Sequence, residues 1–228
     1  MSMYKAIILD LDDTLYEYEA LNRQAVAALR DYTCQLCNVS VEEFDNAFSK
    51  ARKDTKDILV ETGASHNRML YCQRTLENLG KKPAVAALGM YELYWGYMLE
   101  HMVLRDGVKE MLDLCRDRGI KVGICSDLTA HIQHRKLKTL GIDEYIDAIV
   151  TSEEAGAEKP NPIMFHMILN KLGVDARDAI FIGDSLRKDI EGAASQGIEP
   201  LWFHNGEHKS FRTISSFYEI RGILDGSK

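Results

Sequence analysis

No stretch of this chain is apolar for the roughly 20 residues that a membrane-spanning helix requires, so no membrane span is expected. The opening MSMYKAIILD lacks the long apolar segment and small-residue cleavage site of a secretory leader. Its short apolar run reads as a strand that goes straight into a fold. Cysteine is scarce: five residues in 228, an odd number, which argues against a disulfide framework and for a reducing, cytoplasmic setting. Cys34 and Cys37 form one C-x-x-C, but no second pair and no histidine pair stands at zinc spacing. The surrounding ALNRQAVAALRDYTCQLC is helical in its periodicity, so both cysteines are expected in or near a helix–helix seam. Positive charge is short as well. Against 35 acidic residues stand 28 lysines and arginines, a net charge of −7, which disfavours sequence-independent binding to nucleic acid or to an anionic bilayer. Internal repeats and low-complexity tracts are absent.

What is present is enough apolar material, 46% of residues, for one large domain or a core with an insert. From Tyr18 to about Met102 the apolar positions recur three and four apart, as at Leu21, Ala25 and Leu29, then Phe44, Ala47 and Phe48. Ser40 and Glu43 stand at capping-box spacing. This stretch reads as an all-helical insert. From Leu104 onward the pattern alternates. Helical DGVKEMLDLCRDRG precedes the strand IKVGICSD, then helical TAHIQHRKLKTLG and the strand YIDAIVTS. Helical NPIMFHMILNKLG, the strand AIFIGDS, helical LRKDIEGAASQG and a last strand IEPLWF follow. Strands alternating with helices of this length predict an α/β fold, a doubly wound parallel sheet. The first strand, Tyr4 to Leu9, joins the same sheet. The segment after Asn205 is weakly patterned and reads as surface-packed chain.

In an open parallel sheet, ligands bind beyond the carboxyl ends of the strands. Here those ends carry Asp10, Asp12, Asp13 and Thr14; Ser126 and Asp127; Lys159; and Gly183, Asp184 and Asp189. Each alone has an ordinary reading as a cap or turn residue. Three aspartates at the mouth of a buried strand repel one another, so a cation, or chemistry that uses carboxylates, is expected beside them.

In that order and at those positions the residues resemble the motifs of the haloacid dehalogenase (HAD) superfamily. D-x-D-x-T matches Asp10, Asp12 and Thr14; the second-motif serine matches Ser126, the lysine Lys159, and G-D-x(4)-D matches Gly183, Asp184 and Asp189. The resemblance implies a Rossmann-like core from residues 1–16 and 103–228, with a helical C1-type cap at 17–102 that closes over the site and selects the leaving group. It implies a phosphatase acting on a small phosphorylated metabolite. Asp10 is then the nucleophile and forms an aspartyl-phosphate. Asp12 is the acid/base, kept protonated in the first step by neighbouring carboxylates. Mg²⁺ is held by Asp10, Asp184, the main-chain carbonyl of Asp12 and Asp189. Ser126 and Lys159 contact phosphate, and Lys159 also offsets the charge of Asp10. Thr14 orders the turn.

One departure is visible: Asp127 stands where many relatives carry Asn. It is counted here among the substrate-binding residues, although its charge favours an orientation away from an anion. Arg68, beside His66 and Asn67, is placed to read a second anionic group, or else ends a solvated helix. Tyr16 and Tyr18 line the entrance or pack the hinge, and His131 and His134 receive no role. The alternatives within the fold are a phosphomutase and a metal-free 2-haloacid dehalogenase; Asp12, Asp184 and Asp189 argue against the latter. Phosphonate hydrolysis through Lys50, Lys53 or Lys56 is unsupported, and a non-catalytic binding module has no use for Asp12. Neither the individual substrate nor the oligomeric state is legible in the sequence.

Overall fold

The computed structural model describes residues 4–226. The chain forms two compact units, one from residues up to Glu17 together with those from Val103, the other Tyr18–Met102.

The first unit is built on six parallel strands: β1 (Ala6–Leu9), β2 (Lys121–Ser126), β3 (Ala148–Thr151), β4 (Ala179–Gly183), β5 (Glu199–Phe203) and β6 (Arg212–Ile214). Their order across the sheet is β3-β2-β1-β4-β5-β6. All four residues of β1 are fully buried, as expected of a central parallel strand covered on both faces. The polarity of strand order reverses between β1 and β4, which pair with Leu9 opposite Ile182. That reversal opens a crevice at the carboxyl ends, where such sheets bind ligands. One covering layer shows how the sheet is packed. The helix Pro162–Leu172 presents Met164, Phe165, Ile168, Leu169 and Leu172 to Ala6, Ile8, Cys125, Val150 and Phe181. Its approach to β2 is close at Gly123, where a Cβ would lie 2.9 Å from the Leu172 side chain and make it shift.

The second unit is helical: α1 (Tyr18–Cys37), α2 (Val41–Ile58), α3 (Arg68–Asn78) and α4 (Pro83–His101). The Ser40–Glu43 capping box opens α2 as its spacing predicts. Cys37 is buried at the end of α1 and Cys34 half-buried on it, and all five cysteines are free thiols.

Two local expectations are corrected. The segment after Asn205 is not merely surface-packed chain: Arg212–Ile214 adds a sixth parallel strand, paired with Leu201–Phe203. Three residues are too few for alternation to announce a strand, and only Ile214 among them is buried. The segment after Asp184 is not one regular helix either. Leu186–Glu191 is a π-helical turn, followed by a single α-turn Gly192–Ser195. In the wide turn Ser185 accepts from the amides of both Asp189 (2.9 Å) and Ile190 (3.2 Å). Such turns often re-aim side chains at functional sites.

Candidate active site

The pairing of β1 with β4 places Asp10 and Asp184 side by side as the two strands leave the sheet. The amide of Asp10 still donates to the carbonyl of Ile182 (2.9 Å). The π-turn returns Asp189 to the same point, and the carboxylates of Asp10, Asp184 and Asp189 each offer an oxygen within 4.8 Å of the others. Gly183 is required by this packing. A Cβ there would lie 2.5 Å from the Asp189 side chain, a distance no side chain tolerates.

Lys159 arrives from the loop after β3, fully buried. Its Nζ donates to Asp10 Oδ1 and to Asp189 Oδ1, both at 2.6 Å. Thr14 lies between Asp10 Oδ2 (3.2 Å) and Asp184 Oδ1 (3.3 Å), within reach of either with its one hydroxyl hydrogen. Ser185 N–H donates to Asp189 Oδ2 (3.0 Å), and Trp202 Nε1–H fixes the Asp184 carbonyl (2.7 Å).

The electrostatics are strained. Burial, opposed by Lys159 and reinforced by Asp189 and Asp184, pushes the Asp10 carboxyl above the ordinary range. Burial, with Asp189 and Asp13, pushes Asp184 up to about 6. Burial works against the Lys159 charge, but Asp10 and Asp189 outweigh it and hold the ammonium protonated. Three carboxylates thus share one ammonium in a site that disfavours their charges. The remaining donors are hard oxygens, the set that suits Mg²⁺ rather than a thiophilic metal, so these residues fit such an ion.

Around this centre the other expected residues are dispersed by role. Ser126, at the end of β2, is buried, and Gln133 Nε2–H donates to its Oγ (2.7 Å), which leaves the serine hydrogen available to an anion. Asp127 faces elsewhere, with both oxygens occupied. Oδ1 accepts the Lys159 amide (3.0 Å) and Oδ2 accepts Lys188 Nζ (2.8 Å), which also reaches Glu158 (3.0 Å). Asp127 therefore anchors the Lys159 loop, where a substrate-binding residue was expected. Asp12 differs from expectation in its surroundings. Its immediate partners are not carboxylates. Lys136 Nζ donates to both of its oxygens (2.6 and 2.8 Å) and the Tyr16 hydroxyl donates to Oδ1. The carboxylate of Asp12 is not a member of the three-carboxylate cluster.

Arg68 belongs to the helical unit and begins α3. It donates to the His66 carbonyl (2.7 Å) and to the Tyr18 hydroxyl, and lies over the rings of Tyr71 (5.2 Å) and Tyr94 (5.3 Å). It does not end a solvated helix. Burial opposes its charge, and the phenols of Tyr18 and Tyr94 more than offset that. Tyr16 is buried against Asp12, whereas His131 and His134 are exposed. Lys136, Gln133, Lys188 and Trp202 were not singled out from sequence.

Comparison with known proteins identifies the family. The family profile described as haloacid dehalogenase-like hydrolase matches residues 4–197. A ribulose-1,5-bisphosphate 5-phosphatase of Halopiger xanaduensis is 37% identical over 207 residues, 90% of this chain and 87% of the relative. A glyceraldehyde 3-phosphate phosphatase of Methanopyrus kandleri is 30% identical over 91% of this chain and 87% of its own length. The crystal structure of a HAD phosphatase from Thermococcus onnurineus superposes with a TM-score of 0.76 at 25% identity, covering 97% of this chain and 98% of that one.

Proposed function

The chain belongs to the haloacid dehalogenase-like hydrolases and is an enzyme of their phosphatase branch, and from that premise we propose how it works. The substrate is a small phosphorylated metabolite, with phosphorylated sugars the first candidates given the named relatives. Asp10 attacks phosphorus, the ester P–O bond breaks, and Asp12 gives its proton to the departing oxygen. Water then attacks the aspartyl-phosphate, Asp12 takes the water's proton, and Asp10 is released as carboxylate. Ser126 donates to a phosphate oxygen, and Lys159 balances charge on Asp10 and phosphate. Mg²⁺, held by Asp10, Asp184, Asp189 and the Asp12 carbonyl, would supply the neutralisation that lets an anionic carboxylate approach an anionic phosphate. A cytoplasmic location is part of the proposal and rests on the free thiols.

The observation that carries this reading is the Lys159 bridge between Asp10 and Asp189 beside Asp184. A metal-free dehalogenase has no use for an acid/base at Asp12, nor for a further carboxylate at Asp184 beside the pair that Lys159 already bridges. The test is phosphate release over a panel of phosphorylated metabolites, headed by ribulose-1,5-bisphosphate and glyceraldehyde 3-phosphate, with Mg²⁺ and with EDTA. Release that requires Mg²⁺ supports the proposal. Full activity in chelator, or halide release from a 2-haloacid with no phosphate release, overturns it.

A further inference from the structure

Lys136 is an anomaly in its own helix. The helix Ala130–Thr139 buries Ile132, Gln133, Lys136 and Leu137 on one face. Lys136 is wholly inaccessible, although lysine is almost never fully buried unless paired. Its partner is Asp12, whose two oxygens receive Nζ at 2.6 and 2.8 Å, and the ammonium also lies 5.8 Å from the ring centroid of Tyr16. Tyr16, itself buried, donates its hydroxyl to Asp12 Oδ1. Gln133, one turn earlier on the same face, bonds Ser126. One helix face therefore reaches both Asp12 and Ser126. The Asp12 side chain keeps 21% of its surface exposed, so it is not sealed off while two donors fix its rotamer.

We propose that Lys136, assisted by Tyr16, is a positioning residue that aims the Asp12 carboxylate at the leaving oxygen in the first half-reaction and at water in the second. This rests on the acid/base role proposed for Asp12. Lys136 keeps its proton throughout; the only proton transfers are between Asp12 and the leaving oxygen, and between water and Asp12. A carboxylate released from both donors samples several rotamers, and loss of aim costs rate steeply. Holding Asp12 is a task separate from that of Lys159, which serves Asp10 and Asp189.

The test is Lys136→Met, of similar length, made alone and in an Asp12→Asn background. Rapid-quench kinetics compare an alkyl phosphate with p-nitrophenyl phosphate, whose phenolate hardly needs a proton. General acid–base help is about 10²–10⁴-fold, so the alkyl ester should lose about 10²-fold. The aryl ester's first step should lose under about threefold, with acyl-phosphate persisting after the burst. Because Lys136 acts through Asp12, Lys136→Met should cost under about twofold more once Asp12 is Asn. Equal losses for the two leaving groups, or losses that multiply in the double variant, would overturn the assignment. Should Lys136→Met fail to fold, Tyr16→Phe is read in the same way, and the absence of any alkyl-selective loss there refutes it. If the Asp12→Asn variant, which lacks the base for the second step, yields no acid-trappable acyl-phosphate from p-nitrophenyl phosphate, the Asp10 proposal fails. The Lys136–Asp12 cycle on steady-state alkyl turnover still decides the coupling.

Discussion

Replacing Lys159 by Met removes the single ammonium that bridges Asp10 and Asp189 at 2.6 Å each, and leaves three carboxylates within 4.8 Å of one another. At 4.8 Å two unit charges repel by about 3.5 kcal/mol at an effective dielectric constant of about 20. Removing one partner of a buried pair generally costs about 3–5 kcal/mol. For a chain of this size each kcal/mol lowers the melting temperature by about 2–4 °C, so the metal-free variant should melt about 6–20 °C below wild type. Mg²⁺ brings positive charge to the same carboxylates. A ligand at 100 times its Kd stabilises by about 2.7 kcal/mol, and its affinity should rise once the competing ammonium has gone. The assay is a pair of calorimetric scans, with EDTA and with millimolar Mg²⁺, on wild type and variant at pH 7.5. The variant should gain more from Mg²⁺ than wild type does and yet release almost no phosphate. An unchanged melting temperature in EDTA, or a Mg²⁺ increment no larger than that of wild type, would refute the charge balance argued here.

Asp10→Asn, nearly isosteric, should abolish turnover of every phosphate ester while keeping the fold, as read by phosphate release and circular dichroism; substantial residual activity in pure protein would overturn the covalent step. For Asp184 the folded pKa of about 6 lies above the unfolded carboxylate value of about 3.9. Its contribution to metal-free stability is therefore fully present below about pH 4 and is lost as pH rises through 6. Asp184→Asn should remove that part of the slope in urea titrations from pH 4 to 7, and wild-type Mg²⁺ affinity, measured calorimetrically, should weaken as pH falls below about 6. Gly183→Ala puts a methyl 2.5 Å from Asp189; overpacking of this kind costs about 1–3 kcal/mol, and Mg²⁺ affinity should drop with it, whereas an Ala variant with wild-type affinity would show that Asp189 can move freely.

How much of this was legible follows from where information sits in a chain. That Asp10, Lys159, Asp184 and Asp189 come together was readable because each ends or follows a strand whose apolar run is unmistakable, and parallel topology alone brings strand ends together. The helical character of Tyr18–Met102 was readable from its period and from one capping box. The partners of the polar residues were not readable in the same way, because a hydrogen bond leaves no period. Asp127 looked like a second ligand to substrate until both its oxygens were seen on Lys159 N and Lys188 Nζ.

Lys136 shows where a signal did exist. HRKLK reads as a basic, solvated turn, and two of its cations, Arg135 and Lys138, are exposed. Yet Lys136 follows Ile132 by four residues and Gln133 by three, and Leu137 follows Gln133 by four, so the four residues make one stripe. Two polar residues on the apolar stripe of an otherwise ordinary helix violate its pattern, and a buried ammonium without a carboxylate would cost several kcal/mol. The violation therefore demands an acidic partner that the helix does not supply. Among the acids at the strand ends, Asp10 and Asp189 have their ammonium in Lys159, and Asp127 has Lys188. That leaves Asp12, Asp13 and Asp184, and of these the structure pairs Lys136 with Asp12, which needs its carboxylate aimed if it is to move protons.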